Sequence, residues 1–220
     1  MLRISIEKKT LHFKQPAGTS RGVYTERDIW LLTMYDTCSP ENVGVGECAP
    51  LPDLSCDASE NYEKRLREIC NVVEQTGRID GSLLSPYPSM LFGLETAYLN
   101  MKNGRYLFDT PFSHGRCGIP INGLVWMGTA EEMNFRMEEK IKAGFSCVKL
   151  KIGAIDFESE LALVKSIRKR FSKDVIELRV DANGGFSPAE AMERLEVLAR
   201  YDIHSIEQPI RQKQWSEMAR

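Results

Sequence analysis

Residues 175–184, VIELRVDANG, contain the pattern that decides the fold: a run of β-forming residues ends in Asp181 and continues into a turn. Similar runs stand on either side of it, at 119–126 (IPINGLVW), 146–152 (SCVKLKI) and 203–207 (IHSIE). Segments of helical spacing separate the runs, so strands and helices alternate. Corresponding points recur evenly, 29 residues from Asn122 to Lys151 and 30 from Lys151 to Asp181. This is a βα repeat, which is typical of a parallel sheet.

The intervening helices have clear start signals. Thr129 precedes Glu132 and Ser187 precedes Glu190 at the spacing of a capping box, in which a hydroxyl and a carboxylate satisfy free backbone N–H groups. A third helix is predicted from about residue 156 to residue 171, between the second and third strands.

Charged residues stand toward the carboxyl ends of these predicted strands: Lys149 and Lys151, Arg179 and Asp181, and Glu207. Parallel sheets are normally buried on both faces, so charges there indicate a crevice or the mouth of a barrel. No G-x-G-x-x-G follows the first strand, which counts against a dinucleotide-binding sheet. The pattern favours a TIM-type β/α barrel, of which four units are the first half.

The first 113 residues have a different character. Runs of β type at 2–9, 27–35 and 43–48 precede two helical patterns, one from near Asp57 toward Gln75 and one from near Ser85 to before Gly104. Glycine and proline in 109–118 mark a boundary. We therefore predict an α/β plus α+β protein, with an α+β domain over 1–113 and about four βα units over 114–220.

The composition limits the classes of function. The 29 Lys and Arg against 31 Asp and Glu give a net charge of −2, so there is no basic field for nucleic acid or an anionic membrane. No apolar run approaches the ~20 residues of a membrane helix, and early charges leave no signal-peptide core. The six cysteines form no C-x-x-C pair, which argues against a zinc site or a disulfide framework. We predict a cytoplasmic protein.

Lys149 and Lys151 lie two positions apart on a predicted strand, so both side chains leave the same face. Repulsion between two ammonium groups, together with partial burial, lowers the pKa of at least one of them and makes it a candidate general base. The alternative is an edge strand with solvated lysines.

Carboxylate and amide side chains end the next two strands: Asp181 with Asn183, and Glu207. A buried glutamate needs a partner, either a metal ion or a lysine. Carboxylates of neighbouring strands aimed at one mouth form the beginning of a site for a hard cation such as Mg²⁺. A simple turn after Asp181 is the alternative. A calcium loop is excluded because its glycine and glutamate positions hold Phe186 and Met192.

The motifs Lys149-Leu-Lys151, Asp181-Ala-Asn183 and Glu207-Gln-Pro209 resemble those that end barrel strands two to four in the muconate-lactonizing-like branch of the enolase superfamily. The resemblance covers essentially the whole chain. It implies that 1–113 is a capping domain that lends two loops, 18–22 and 46–52, to the active site. Within the branch, three segments are most similar to the o-succinylbenzoate synthase family of menaquinone biosynthesis: 120–126, 179–184 and 204–210.

The resemblance implies a role for each motif residue on a small-molecule carboxylate substrate. Lys151 would remove the proton α to the carboxylate and, once protonated, assist the loss of water. Lys149 would favour the neutral form of that lysine, and Asn183 would orient it. Asp181 and Glu207 would be two of three Mg²⁺ ligands, with Mn²⁺ as an alternative ion. Substrate-binding roles are implied for three further residues: Asn122, Arg179 and Arg21.

In the family, the third metal carboxylate and a second lysine belong to strands five and six, which are expected beyond Arg220. We therefore expect residues 1–220 alone to be inactive and loosely folded or aggregated. Two alternatives use the same motifs, a dipeptide epimerase and a muconate-cycloisomerase-like enzyme of the superfamily. The alternative from another class is a fragment without catalytic function.

Overall fold

Three strands open the chain in the computed structural model, which describes residues 1–19 and 22–220. They are β1 Leu2–Thr19, β2 Gly22–Asp36 and β3 Ser39–Cys48. The sheet order is β1-β2-β3, and β2 pairs with β3 in antiparallel register. β1 and β2 are longer than the predicted runs, because residues 7–16 lie in solvent and lack the apolar alternation that marks a half-buried strand.

Helices cover one face of this sheet: α1 Tyr62–Thr76, α2 Gly81–Leu84 and α3 Pro88–Asn103. The core between them is apolar and includes Leu32, Met34, Leu66, Leu94 and Ala97. α3 lies so close to β3 that a Cβ at Gly46 would collide with the carbonyl oxygen of Gly93.

The first helix begins later than the predicted start near Asp57. The buried Asp57 carboxylate instead accepts the backbone N–H of Ser89 at 2.8 Å, in the first turn of α3. Asp57 therefore stabilises the start of α3, where the free N–H groups of a helix favour a carboxylate.

The second part of the chain alternates strands and helices. Its elements are β4 Gly123–Val125, α4 Ala130–Lys142, β5 Cys147–Lys151, α5 Phe157–Arg170, β6 Glu177–Asp181, α6 Pro188–Ala199, β7 Ser205–Glu207 and α7 Trp215–Met218. The four strands form a parallel sheet in the order β4-β5-β6-β7. Both predicted capping boxes are present, at Thr129 with Glu132 and at Ser187 with Glu190.

The two faces of this parallel sheet differ. Val148, Leu150, Leu178 and Val180 are buried in the core that the strands share with their helices. The alternate positions, which include both lysines, leave the other face, because side chains alternate along a strand. The predicted order, an α+β domain followed by parallel βα units of a partial barrel, is confirmed. Within the described residues the sheet is open, with β4 and β7 at its edges.

The chain forms two compact units, and the first gives way to the second between Ile119 and Pro120. The domain limits 1–113 and 114–220 stay a prediction. In the part of the chain that the structure describes, no helix has the length and apolar character needed to cross a bilayer.

Candidate active site

Three of the predicted site residues lie at one level across three neighbouring strands. Lys151 is the register partner of Asp181, and Asp181 is the register partner of Glu207. All three stand at the last position of their strand, which places them at the carboxyl edge of the sheet. Ligand sites of parallel α/β sheets occur at this edge.

The two lysines share one carboxylate. Lys151 Nζ donates to Asn183 Oδ1 at 2.8 Å and to Asp181 Oδ2 at 3.2 Å. Lys149 Nζ lies 3.2 Å from the same Asp181 oxygen and 2.5 Å from Glu207 Oε2. Both lysine side chains are largely buried, at 16% and 14% exposure. The structure therefore brings together all five residues of the predicted catalytic and metal set.

The pKa of Lys149 is raised, which is opposite to the shift that lysine repulsion alone would give. Burial lowers this pKa, but hydrogen bonds to Glu207 and Asp181 outweigh burial and stabilise the ammonium form. The carboxylates come from the two strands after β5, and their contacts with Lys149 decide the direction of the pKa shift.

Asp181 is held as a carboxylate. Burial raises its pKa, but the backbone N–H of Asn183 and the ammonium groups of Lys151 and Lys149 lower it below the usual value. Asn183 has a left-handed backbone, with φ 47°, and its Nδ2 donates to Asp181 Oδ1 at 2.7 Å. This local turn directs the Asn183 carbonyl oxygen to Lys151, so the residue that makes the turn also orients the candidate base.

The loops that follow β5 and β6 touch through two glycines. A Cβ at Gly185 would lie 2.7 Å from the carbonyl oxygen of Gly153, which is closer than real side chains come to backbone. Gly153 immediately follows the segment that carries Lys151, and Gly185 follows Asn183. The two loops that approach each other here are next to Lys151 and Asn183, whose side chains are joined by a hydrogen bond.

Glu160 supports this region and was not singled out from the sequence. It lies on α5, is 2% exposed, and its Oε1 accepts the backbone N–H groups of Gly153, Ala154 and Ile155 at 2.7, 3.1 and 3.2 Å. Burial raises its pKa, and the three N–H groups act in the opposite direction. The available signal was a glutamate on the apolar face of an amphipathic helix, at helical spacing from Val164 and Ile167.

The predicted substrate-binding residues are not all brought to this cluster. Asn122 immediately precedes β4, at the amino edge of the sheet and away from Lys151. Arg179 lies on β6 two positions before Asp181, and its Nε donates to Glu177 Oε1 at 2.6 Å. Arg21 lies outside the described residues.

An aromatic neighbour of the candidate base was also missed. Trp126 directly follows β4, and Lys151 Nζ lies 5.0 Å from the centroid of its ring. The register of β4 with β5, in which Val125 pairs with Leu150, brings the residue after β4 to the level of Lys151.

Asp181 and Glu207 fit a hard divalent cation. Both present carboxylate oxygens to one cationic group, Lys149 Nζ, so their charges converge on the same region of the carboxyl edge. Oxygen donors of this kind are those that Mg²⁺ prefers. Across residues 1–19 and 22–220, no group of three or more His, Cys, Asp or Glu side chains is arranged around a common metal position.

Comparison with known proteins gives a consistent result. Residues 132–220 match the family model described as Enolase C-terminal domain-like. The chain is 39% identical to the o-succinylbenzoate synthase of Desulfotalea psychrophila, over 99% of this chain and 67% of that protein. It is 24% identical to the L-Ala-D/L-Glu epimerase of Bacillus subtilis, over 96% of this chain and 60% of that protein.

A solved structure has the same fold. The crystal structure of o-succinylbenzoate synthase from Thermosynechococcus elongatus, complexed with Mg in the active site, superposes with a TM-score of 0.74 at 25% identity. The match covers 98% of this chain and 64% of that one. The chain thus spans about two thirds of the length of these relatives.

The parallel βα units, the motif residues at their carboxyl edge and these similarities establish the class: the chain belongs to the enolase superfamily. Within the superfamily, it is similar over nearly its whole length to an o-succinylbenzoate synthase.

Proposed function

We propose that this chain carries the base and two metal ligands of an o-succinylbenzoate synthase. This lyase converts 2-succinyl-6-hydroxy-2,4-cyclohexadiene-1-carboxylate to o-succinylbenzoate and water in menaquinone biosynthesis. The observation that carries the proposal is the contact of Lys151 with Asp181 and Asn183 at the carboxyl edge of the sheet. The 39% identity to the Desulfotalea synthase supports the choice of reaction.

Lys151 would serve both halves of the reaction. As a neutral amine it takes the proton from the carbon next to the substrate carboxylate, and the C–H electron pair remains on the substrate. As an ammonium it then gives a proton to the departing hydroxide, so that the C–O bond breaks and water leaves. Asn183 holds Nζ in position through its 2.8 Å hydrogen bond. Lys149, a second cation on the same face, disfavours a second ammonium beside it.

Asp181 and Glu207 would hold the Mg²⁺ ion, with Mn²⁺ as an alternative. When bound, the cation offsets the second negative charge that develops on the substrate carboxylate as the proton leaves. Asp181 suits this role because its pKa lies below the usual value, so it remains a carboxylate well below neutral pH.

Dipeptide epimerisation is the second candidate, because the Bacillus epimerase is similar over 96% of this chain. The two reactions share the first proton transfer and differ in the second step. An epimerase returns a proton to the opposite face of the carbon, whereas in the synthase reaction the substrate loses water.

One experiment separates the two candidates. The protein, in the length that its gene encodes, is incubated with Mg²⁺ in D₂O, either with the cyclohexadiene carboxylate or with L-Ala-L-Glu. The proposal expects an aromatic product from the cyclohexadiene carboxylate. It expects deuterium to enter the dipeptide at a much lower rate than the aromatic product forms. Deuterium exchange in the dipeptide without aromatic product would favour the epimerase instead. A small-molecule carboxylate substrate and a cytoplasmic location are parts of the same proposal.

A further inference from the structure

Trp126 lies beside the candidate base. Its ring lies over Nζ of Lys151, 5.0 Å from centroid to nitrogen, while Lys151 itself is only 14% exposed. Trp126 is 37% exposed, so part of the indole is accessible to a ligand. An aromatic face attracts an ammonium group, which accounts for the contact.

The contacts already made by Lys151 Nζ limit the directions from which a substrate can approach this nitrogen. A tetrahedral amine nitrogen has one bond to its own side chain and three other directions. Asn183 Oδ1 at 2.8 Å and Asp181 Oδ2 at 3.2 Å take two of these. The ring of Trp126 borders the nitrogen as well. A carbon that gives its proton to Nζ therefore approaches beside the indole.

The backbone under the indole is firmly held. Arg136 on α4 donates from Nη1 to the carbonyl oxygens of Trp126 at 3.1 Å and Met127 at 2.7 Å. The next residue, Gly128, lies beside the Glu132 side chain, which accepts the backbone N–H of Thr129 at 2.9 Å. Hydrogen bonds from α4 thus hold the backbone of the segment after β4, which carries Trp126 beside Lys151.

We propose that Trp126 is a specificity-determining residue that selects substrates whose proton-donating carbon belongs to a flat, unsaturated ring. An indole face gains from offset stacking on such a ring, and it gains little from an extended aliphatic chain such as a dipeptide. The contact improves as the substrate ring becomes flat and aromatic. The inference rests on the proposed function, because it requires Lys151 to be the base.

The test compares the binding of two ligands, in the presence of Mg²⁺, to the protein in the length that its gene encodes. Calorimetric titration gives the Kd of o-succinylbenzoate, which has an aromatic ring, and of L-Ala-L-Glu, which has none. Trp126→Leu should raise the Kd of o-succinylbenzoate about tenfold, while Trp126→Phe should raise it only about twofold, since phenylalanine keeps an aromatic face. The Kd of the dipeptide should stay unchanged in both. The matched control is Trp215→Phe, since Trp215 is 74% exposed on α7.

Tryptophan fluorescence provides a second measurement that does not depend on a folded leucine variant. The emission change caused by o-succinylbenzoate should persist in Trp215→Phe and disappear in Trp126→Phe. An unchanged emission response in Trp126→Phe would overturn the inference. Equal weakening of both ligands by Trp126→Leu would also overturn it, and would leave the proposed function standing. Failure of the wild-type protein to bind o-succinylbenzoate would overturn both.

Discussion

Lys149 and Lys151 leave the same face of β5, but their surroundings differ. Lys149 Nζ contacts two carboxylates, Asp181 and Glu207, which hold it as an ammonium. Lys151 Nζ contacts one carboxylate, the neutral amide of Asn183 and the ring of Trp126. The hydrogen bond to Asn183 Oδ1 orients Nζ of Lys151 at the end of β5, so the contacts favour Lys151 as the base.

Replacement of the base is the most direct test at this scale. In the protein as its gene encodes it, Lys151→Ala should lower kcat by ~10²–10⁴-fold, because a positioned acid and base is lost from both proton transfers. Steady-state dehydration kinetics measure the effect, and Mg²⁺ binding should persist. The matched control is Lys165→Ala, an exposed lysine on α5. Retention of a tenth of the wild-type activity would contradict the role of Lys151.

The metal ligands give a second prediction. Asp181→Asn and Glu207→Gln should each weaken Mg²⁺ binding, because each removes one anionic oxygen ligand from a hard cation. Glu207→Gln is the cleaner variant, since Glu207 is 55% exposed whereas the buried Asp181 also neutralises both lysines. Calorimetric titration measures the affinity, with Glu193→Gln on α6 as the exposed control. Unchanged Mg²⁺ affinity in both variants would contradict the assignment of Asp181 and Glu207 as metal ligands.

Among the elements, α5 and the loop before it form one unit. Glu160 on α5 binds three consecutive N–H groups of that loop with a single oxygen. Its other oxygen is buried and has no hydrogen-bond partner in the described part of the chain. The loop begins two residues after Lys151, so Glu160 fixes the backbone next to the candidate base.

Substitutions of Glu160 should therefore distinguish the loss of its hydrogen bonds to the loop from the loss of its charge. Glu160→Ala leaves three backbone donors without their acceptor, and a donor left unsatisfied away from water costs about 1–3 kcal/mol of the free energy of unfolding. Ala154 is exposed and can bind water instead, so the cost should come from Gly153 and Ile155. Glu160→Gln keeps an acceptor oxygen and should cost less. Thermal or urea unfolding measures both, and a larger loss for glutamine than for alanine would contradict this role of Glu160.

The pH dependence of the glutamine variant follows from the raised pKa of Glu160. A carboxyl whose folded pKa is raised stabilises the fold fully below its unfolded pKa, and this contribution is lost as pH rises through the folded pKa. Glutamine does not ionise. The wild-type protein should thus lose stability relative to Glu160→Gln as pH rises from acidic to neutral. A constant difference across this range would show that Glu160 has an ordinary pKa.

At the scale of elements, the sequence predicts the helices and strands better than it predicts the contacts between them. The helix starts at Thr129 and Ser187 could be predicted because a capping box is local chemistry. The late start of α1 could not, because the Asp57 carboxylate binds Ser89, 32 residues away. The pKa of Lys149 and the ring over Lys151 depend likewise on the register between strands, which no single segment encodes.

For the whole molecule, the distribution of polar residues on the parallel sheet is the main feature. One face is buried against α4, α5 and α6, and the other carries the lysines and carboxylates of the candidate site. β4 and β7 each have one edge without a neighbouring strand among the described residues. Parallel sheets are normally covered on both faces and closed or protected at their edges.

These open edges lead to a prediction for the 220-residue chain produced by itself. Exposed strand edges pair with other chains, so it should self-associate in a concentration-dependent manner, which size-exclusion chromatography with light scattering measures. It should also show no dehydration activity, because the described residues bring only two carboxylates, Asp181 and Glu207, to the position of the cation. The o-succinylbenzoate synthase of Desulfotalea psychrophila, assayed in parallel, is the reference. A monodisperse monomer that forms o-succinylbenzoate would contradict both expectations, since it would show that the open edges and two carboxylates suffice for folding and catalysis.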